Sequence, residues 1–282
     1  MQMTPDELRD SIDYTSRLTG FNSFLIEKDY YCSLILKLLY ENEELKNMLI
    51  FKGGTLLSKG YFDFFRLSED LDFSIENSFC VNRGERKKIS AIFKATIPAI
   101  LKTLNFREVS PFRGFNESTQ YNGIFGYDSV VGPADTIKFD VGLRGDLILK
   151  PVVIELKTLL KNSISGAELF PNINALTLAK EETYAEKFRA ALTRNPFAIR
   201  DFFDVEKIMD SGFDVFNEGF ISLVKMKINF DSSAKIDLTF EKKKFVDGQV
   251  KTDLKPVLKP DIEFSLDKSW ALLQEIYTKI SG

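Results

Sequence analysis

Hydrophobic residues recur along the chain at two spacings, and the spacing of three to four residues marks the helices. Thr4 begins the first helix, because a proline follows it and Glu7 completes a capping box. Ile26, Tyr30 and Leu34 line one face of a second helix. In total, this spacing predicts helices over residues 4–19, 24–40, 83–104, 181–193, 197–209, 216–226 and 266–280.

Short apolar runs and alternating patterns predict strands between these helices. The strands fall at residues 48–51, 71–75, 121–127, 136–141, 152–156 and 175–178, with a short helix at 55–62. Strands and helices mix up to a soft boundary near residues 163–171, after which helices dominate. We therefore expect an α+β fold, with a mixed sheet flanked by helices in residues 1–162 and a mostly helical domain in residues 163–282.

The 282 residues contain no histidine, which narrows the possible chemistry. This absence excludes Ser–His and Cys–His catalysis, histidine-ligated zinc and an imidazole general base. The chemistry then depends on carboxylates, lysines, hydroxyls and a metal that prefers oxygen ligands, such as Mg²⁺ or Mn²⁺. The net charge of −3 gives no overall attraction to nucleic acid, so such contacts would need a local basic patch.

The cysteines and the apolar stretches bear on the location of the protein. Cys32 and Cys80 form neither a disulfide framework nor a zinc-binding pair, which is typical of a reduced, cytoplasmic protein. The N-terminus lacks the features of a signal peptide, and no apolar stretch approaches the roughly 20 residues of a membrane span. We therefore expect a cytoplasmic protein without a membrane partner. The 26 phenylalanines are expected to pack in the core.

The segment LIFKGGTLLSKG joins a predicted strand to a predicted helix through Gly53 and Gly54. Glycines let backbone N–H groups approach a phosphate closely, and a helix N-terminus favours its negative charge. Thr55 adds a hydroxyl donor at the start of the helix. A plain turn without a ligand would have the same sequence, so this segment alone leaves both interpretations open.

Asp70 and Asp72, in RLSEDLDFSI, point to the same face of a predicted strand, because side chains alternate along a strand. Leu71 and Phe73 would occupy the opposite, buried face. Two carboxylates on one face repel each other unless a cation lies between them. A divalent metal with triphosphate oxygens meets that need. The alternative is a solvated strand edge.

A third carboxylate on a later strand would complete such a site. Asp140, in TIKFDVGLRG, shares a strand face with Lys138. Its role would be that of a general base toward an attacking hydroxyl, or of a further metal ligand. Glu155, in VVIEL, is the rival candidate. An ordinary surface acid is the alternative interpretation.

The segment EETYAEKFRAALTRNPFAIRDFFDV contains a strong helix followed by a second one. Apolar residues mark the buried side of the first helix, and Lys187 and Arg194 lie near its exposed side. Arg200 and Asp201 begin the next helix. An amphipathic surface helix with ion pairs would show the same pattern.

The glycine turn and the DxD strand, joined by one short helix, resemble the nucleotidyltransferase fold of the DNA polymerase β superfamily, with Thr55 where serine is usual. A closer resemblance covers residues 25–210. EKDYYCSLILK, KGGTLLSK, RLSEDLDF, AEKFRAALTR and IRDFFD together resemble the AbiEii/AbiGii-type nucleotidyltransferase toxins of bacterial toxin–antitoxin and abortive-infection systems. The last third of the chain lies outside this resemblance.

This resemblance implies the site residues by position. Asp70, Asp72 and Asp140 would be catalytic and bind the metal, while Lys187 and Asp201 would be catalytic residues contributed by the C-terminal domain. Ser68 matches a site serine that is phosphorylated in some members of the family. Nucleotide-binding contacts are implied for Gly53, Gly54, Thr55, Ser68, Lys187 and Arg194, with Lys52 and Lys59 as weaker candidates.

The reaction implied by the resemblance is transfer of a nucleoside monophosphate from a nucleoside triphosphate to an acceptor hydroxyl, with Mg²⁺ or Mn²⁺. In related toxins the acceptor can be the 3′ end of tRNA, and an antitoxin protein is a partner by analogy. Basic residues at 83–88 and 242–244 either contact RNA phosphates or are solvated. The alternatives are a protein or small-molecule acceptor, and a nucleotide-binding interaction module without turnover.

Overall fold

The computed structural model describes residues 3–76, 82–143, 147–230 and 234–281. The contacts divide the chain into two compact units, of which the first ends at Leu178 and the second begins at Ala179. Cys32 is a buried free thiol. Cys80 lies outside the described residues.

The first unit follows the predicted order of helices and strands closely. Thr4 caps the first helix, and its capping box with Glu7 is present. The strand at Arg107–Phe115 was not predicted, because Phe112 is its one buried residue and the sequence shows no alternation. The elements are α1 (Pro5–Thr19), α2 (Ser23–Glu41), β1 (Ile50–Lys52), α3 (Gly53–Leu56, continued by a π-helical turn at Leu57–Tyr61), β2 (Asp70–Ser74), α4 (Arg83–Thr103), β3 (Arg107–Phe115), β4 (Gln120–Tyr127), β5 (Asp135–Gly142), β6 (Val152–Leu156) and β7 (Ile173–Thr177).

The strands form one mixed seven-stranded sheet in the order β3-β4-β5-β2-β1-β7-β6. β2 runs antiparallel to β1 and parallel to β5. β1 in turn runs parallel to β7, and the other neighbours are antiparallel. β2 therefore lies inside the sheet, with a strand hydrogen-bonded on each side, so its polar side chains have fixed neighbours.

Phenylalanines fill the core of the first unit, as the composition predicted. The ring of Phe139 lies 6.5 Å from that of Phe73 and 5.4 Å from that of Phe125, centroid to centroid. Phe73 and Leu71 are fully buried on one face of β2. The aspartates that alternate with them point to the other face and are partly exposed. The predicted register of this strand is confirmed.

The boundary between the units lies after Leu178 rather than at residue 162. β7 pairs with β1 through Phe51 and Thr177, and the N–H of Leu178 donates to the carbonyl of Phe51 at 3.1 Å. The hairpin of β6 and β7 therefore belongs to the sheet of the first unit. The irregular stretch at 163–171, where the sequence predicted a soft boundary, connects the two strands of this hairpin.

The described part of the second unit is helical. Its helices are α5 (Lys180–Thr193), α6 (Ile199–Asp210), α7 (Glu218–Asn229), α8 (Phe240–Gly248) and α9 (Leu266–Ser281). A π-helical turn at Val250–Leu254 and a 3₁₀ turn at Lys255–Val257 follow α8. α8 was not predicted, because it buries a lysine, Lys242, and exposes Phe240 and Phe245. The α+β expectation of a mixed sheet with flanking helices and a helical C-terminal part is confirmed.

Across the described residues, no helix combines the length and the apolar character that a membrane span requires.

Candidate functional site

The glycine turn contacts the carboxylate of Asp72 directly. Gly53 has a φ of +81°, a backbone conformation that L side chains rarely adopt. A Cβ atom at this position would overlap the carboxylate of Asp72. Only glycine therefore allows the start of α3 and the acid of β2 to approach this closely. The association of glycine turn and acid strand expected from the sequence is present in the fold.

Thr55 holds this turn against β2 from inside. Its hydroxyl donates a hydrogen bond to the carbonyl of Asp70 at 2.6 Å, and the residue is 1% exposed. The hydroxyl is thus engaged with the protein backbone. The geometry assigns Thr55 the task of fixing the turn relative to Asp70, which differs from the triphosphate contact implied by resemblance.

A buried arginine, which the sequence did not single out, lies behind Gly54. Arg66 is 2% exposed, and its Nη1 donates to the carbonyl of Leu67 at 3.1 Å. A Cβ atom at Gly54 would lie 2.5 Å from Nη2 of Arg66 and 3.1 Å from the hydroxyl oxygen of Ser68. The guanidinium and the serine therefore both pack on the α-carbon of this glycine. No local pattern distinguishes this arginine from a surface residue.

Asp72 and Asp140 lie side by side on neighbouring parallel strands, because their positions are paired in the register of β2 with β5. Asp140 is held in place by amides from β4. Nε2 of Gln120 donates to its Oδ2 at 2.5 Å, and Asn122, with its amide oriented to donate, reaches the same oxygen at 3.0 Å. Asp70, Asp72 and Asp140 thus form a row along one polar face of the sheet.

Lys52 contributes a cation on the same face. It is paired with Asp72 across the antiparallel strands β1 and β2. A Cβ atom at Gly142 would lie 3.7 Å from Nζ of Lys52 and 3.8 Å from the hydroxyl oxygen of Ser74. The lysine therefore reaches across β2 to Gly142 of β5, on the sheet face that carries Asp72 and Asp140.

Glu155, the rival third carboxylate, lies elsewhere in the sheet. It is on β6, an edge strand separated from β2 by β1 and β7. Its Oε1 accepts a hydrogen bond from the amide of Asn172 at 2.8 Å. Of the two candidates, Asp140 is the one that neighbours the DxD pair.

The donor set on this face suits a hard cation only in part. Asp70 and Asp72 offer carboxylate oxygens on one strand face, the kind of ligand that Mg²⁺ takes from proteins. Within residues 3–76, 82–143, 147–230 and 234–281, however, no group of three or more carboxylate, thiol or imidazole side chains is gathered tightly enough to hold a metal by itself. A cation here would rely on phosphate oxygens of a nucleotide for the rest of its ligands, which is common for Mg²⁺. The three-carboxylate metal centre stays a prediction.

The acidic segment before Asp70 is tied to α2 through Lys28. Nζ of Lys28 lies 3.3 Å from Glu69 and 2.8 Å from Asp135, at the start of β5. Burial alone would lower the pKa of Lys28, but the hydrogen bond of Asp135 and the charge of Glu69 raise it above its ordinary value. The lysine therefore stays charged and joins the segments that carry Asp70 and Asp140.

The neighbours of Lys28 in the EKD sequence also anchor α2. Glu27 accepts from the hydroxyl of Ser129 at 2.5 Å and from the N–H of Val130 at 2.7 Å, and burial raises its pKa. Asp29 pairs with Lys59 at 2.7 Å, in the protein interior. Lys59 also donates to the hydroxyl of Ser33 at 2.8 Å. The suggestion that Lys59 contacts phosphate is therefore wrong, because its amine is enclosed and paired.

A second cluster lies within the second unit and contains the other residues implied by the resemblance. Nζ of Lys187 lies 3.2 Å from Asp201 and 2.8 Å from Asp204. Arg194 reaches the second oxygen of Asp201 at 3.2 Å. The prediction that Lys187 lies near the exposed side of its helix is wrong, because its side chain is only 12% exposed and pairs with two buried acids. Asp204 was missed, although its spacing of three from Asp201 places both on one face of α6.

The two basic runs differ in exposure. Arg83, Lys87 and Lys88 are exposed on the first turns of α4. Lys242, by contrast, is 2% exposed and donates to the carbonyl of Ala191 at 2.9 Å. It is neither a solvated charge nor available for RNA phosphates, so both interpretations of this residue are wrong.

Comparisons with known proteins agree with these motifs. Residues 37–275 match the family described as "Nucleotidyl transferase AbiEii toxin, Type IV TA system". Among curated proteins, none matches the chain in sequence. Among solved structures, MenT4, a nucleotidyltransferase toxin from Mycobacterium tuberculosis H37Rv, is similar with a TM-score of 0.58. This match covers 99% of this chain and 90% of that one at 16% identity, and it establishes a likeness of fold.

The family match spans both the row of acids on the sheet and the cluster around Lys187. It implies a nucleoside triphosphate as substrate and an antitoxin as partner. The chain therefore belongs to the AbiEii family of nucleotidyltransferase toxins of type IV toxin–antitoxin systems.

Proposed function

We propose that the first unit binds a nucleoside triphosphate with a divalent cation at Asp70 and Asp72, and transfers its nucleoside monophosphate to an acceptor hydroxyl. The observation that carries this proposal is the contact between Gly53 and the carboxylate of Asp72. It joins a turn suited to phosphate with a ligand suited to Mg²⁺. When bound, the cation supplies positive charge that offsets the negative charge of the triphosphate.

The protein groups have separate tasks in this reaction. The acceptor oxygen attacks the α-phosphorus, the bond from that phosphorus to the bridging oxygen breaks, and pyrophosphate leaves. The proton of the acceptor hydroxyl goes to the carboxylate of Asp140, which Gln120 holds at 2.5 Å. Lys52 stabilises phosphate charge, and Arg66 and Thr55 keep the turn rigid. The work is chiefly positioning and charge stabilisation.

We propose that Lys187, Asp201 and Arg194 of the second unit act in the same reaction. Lys187 is buried among acids rather than exposed on the surface, so its position is fixed. A lysine and an arginine that share one carboxylate form a preorganised cluster of charges, an arrangement suited to stabilising charge that develops in a transition state.

We propose the 3′ end of tRNA as the acceptor. Family membership supports an acceptor whose modification is toxic, and the exposed Arg83, Lys87 and Lys88 provide positive charge in a protein of net charge −3. A protein or small-molecule acceptor is the alternative, which the same experiment distinguishes.

The test is incubation of the purified protein with Mg²⁺, each α-labelled nucleoside triphosphate and total RNA. We expect label in tRNA with at least one nucleotide, and loss of at least about 10³-fold in rate for Asp72→Asn. Glu155→Gln is the matched control, because this acid lies on a distant edge strand of the same sheet. If the label appears in protein or in a small molecule instead of RNA, that molecule is the acceptor and the tRNA proposal is wrong. A rate for Asp72→Asn equal to that of the control would refute the proposed site.

A further inference from the structure

The connection between α5 and α6 carries Arg194 and leads directly into Asp201. α5 ends at Thr193 with Arg194 as its C-cap, and α6 begins after Ala198, whose side chain provides no N-cap hydrogen bond. The last carbonyls of one helix and the first N–H groups of the next therefore need partners from elsewhere in the chain. These two helix ends determine where Arg194 and Asp201 lie.

Lys242, on α8, provides the partner at the end of α5. Its Nζ donates to the carbonyls of Ala191 and Leu192 at 2.9 and 3.1 Å. It also lies 3.9 Å from the centroid of the Phe197 ring, within the connection itself. A buried ammonium at a helix C-terminus interacts favourably with the helix dipole as well as with the terminal carbonyls, of which that of Leu192 also accepts from the N–H of Asp237 at 3.1 Å. One side chain thus holds both the end of α5 and the segment that follows it.

Gln249 does the same at the beginning of α6. Its Oε1 accepts from the N–H of Ile199 at 2.8 Å, and its Nε2 donates to the carbonyl of Phe197 at 3.0 Å. Nearby, Nε of Arg200 donates to the carbonyl of Asp253 at 3.0 Å. The amide therefore accepts from the N–H of Ile199, two residues before Asp201, while the side chain of Ala198 provides no N-cap hydrogen bond.

We propose that Lys242 and Gln249 are positioning residues that hold the α5–α6 connection so that Arg194 and Asp201 stay paired during nucleotidyl transfer. This inference rests on the proposed function of Lys187 and Asp201. It assigns a purpose to a part of the chain that lies outside the five segments on which the family resemblance was based.

Lys242 and Gln249 together form what we call the brace of the α5–α6 connection. The charge of Lys242 makes the effect of this brace depend on pH. Burial lowers the pKa of its amine to about 8, against the opposing charges of Asp237 and Asp201. The polar groups around the amine of Lys242 come from three elements: Asp237 precedes α8, Asp201 is on α6, and the terminal carbonyls belong to α5. Above pH 8 the positive charge of Lys242 is lost, while Lys187 and Arg194 stay paired with Asp201. A fall of kcat with a midpoint near pH 8 is expected to depend on Lys242.

The experiment uses the full chain with Lys242→Met and Gln249→Ala, and Lys268→Met as the matched control. Lys268 is an exposed lysine of the same unit, paired with Asp210. We expect kcat to fall about tenfold in both brace variants, with KM for the nucleotide changed less, and the alkaline limb near pH 8 to disappear in Lys242→Met. Hydrogen exchange of amides 194–202 should accelerate about tenfold in both variants without a change in the first unit.

The two readouts separate the possible failures. If the wild-type chain labels no acceptor, the proposed function fails, and hydrogen exchange alone decides whether the brace exists. If the wild-type chain is active while the folded variants keep its kcat and its pH profile, the positioning role is refuted. Unchanged exchange at residues 194–202 in both variants would refute the brace itself.

Discussion

Gly53→Ala tests the contact on which the proposed nucleotide site depends. The substitution has two separate effects. The first is backbone strain, because Gly53 has a φ of +81°, and the second is a steric overlap of the new Cβ atom with the carboxylate of Asp72. Gly212 allows the backbone strain to be measured without the steric overlap. It has a φ of +79° with nothing within 4 Å of an added Cβ atom, so Gly212→Ala introduces backbone strain alone.

The expected magnitudes follow from these two environments. An alanine in the left-handed region costs about 1–2 kcal/mol, and we expect both variants to lose this much stability. In Gly53→Ala the partly exposed carboxylate must also move by on the order of 1 Å, and such a displacement costs about 100-fold in rate. We therefore expect kcat/KM to fall about 100-fold in Gly53→Ala, equivalent to about 2.7 kcal/mol, and to change little in Gly212→Ala.

The assay pairs urea unfolding with steady-state nucleotide transfer at a temperature where both variants stay folded. Magnesium titration then tests whether the lost rate reflects a displaced Asp72, because weaker metal binding would partly recover at high Mg²⁺. Equal activity of the two alanine variants would show that the position of the Asp72 carboxylate relative to the turn does not matter for catalysis, and the reasoning would be refuted.

Three further predictions concern lysines that are largely buried. Lys28→Met should lower the free energy of unfolding, measured in urea, by about 1–2 kcal/mol and should also lower kcat, because two partly exposed carboxylates lose their shared partner. Lys28→Arg should retain most of the stability and most of the kcat. Lys187→Met should lower the free energy of unfolding by about 3–5 kcal/mol, because it leaves buried acids unpaired. Adding Asp204→Asn should restore this stability without restoring nucleotide transfer. Restored transfer in the double variant would contradict a catalytic role for Lys187. For Lys242, the folded pKa of about 8 lies below the unfolded value of ~10.4, so between these two pH values the unfolded chain binds more protons than the folded chain. The free energy of unfolding should therefore rise with pH across that window, by on the order of 3 kcal/mol. Lys242→Met should lack this rise when unfolding is measured between pH 7.5 and 9.5.

The parts of the site that the sequence predicted are those with a local signal. Asp70 and Asp72 are separated by one apolar residue, and a strand period of two fixes their common face whatever the rest of the fold does. Gly53 and Gly54 mark a turn because few other residues tolerate it. Both inferences need only a few neighbouring residues, which is why the structure agrees with them.

The residues that support this site were not predictable, because partner choice is a tertiary property. Arg66 has the sequence surroundings of a surface arginine, yet it is buried behind Gly54. Lys242 lies in a run of three lysines that indicates solvent, while Phe240 on the same helix is 76% exposed. Here the hydrogen bonds to two carbonyls at the end of α5 outweigh the usual preference of lysine for water.

The supporting residues have one physical feature in common, which bears on how the enzyme works. Gln120 holds Asp140, and Asp204 holds Lys187. Each of these proposed catalytic groups already has a partner, because an unpaired charge in such surroundings would cost more than the pairing. Groups fixed in advance need little rearrangement when charge develops on the phosphates, so electrostatic stabilisation favours the transition state over the bound substrate. Loss of a supporting partner should therefore lower kcat more than it weakens nucleotide binding.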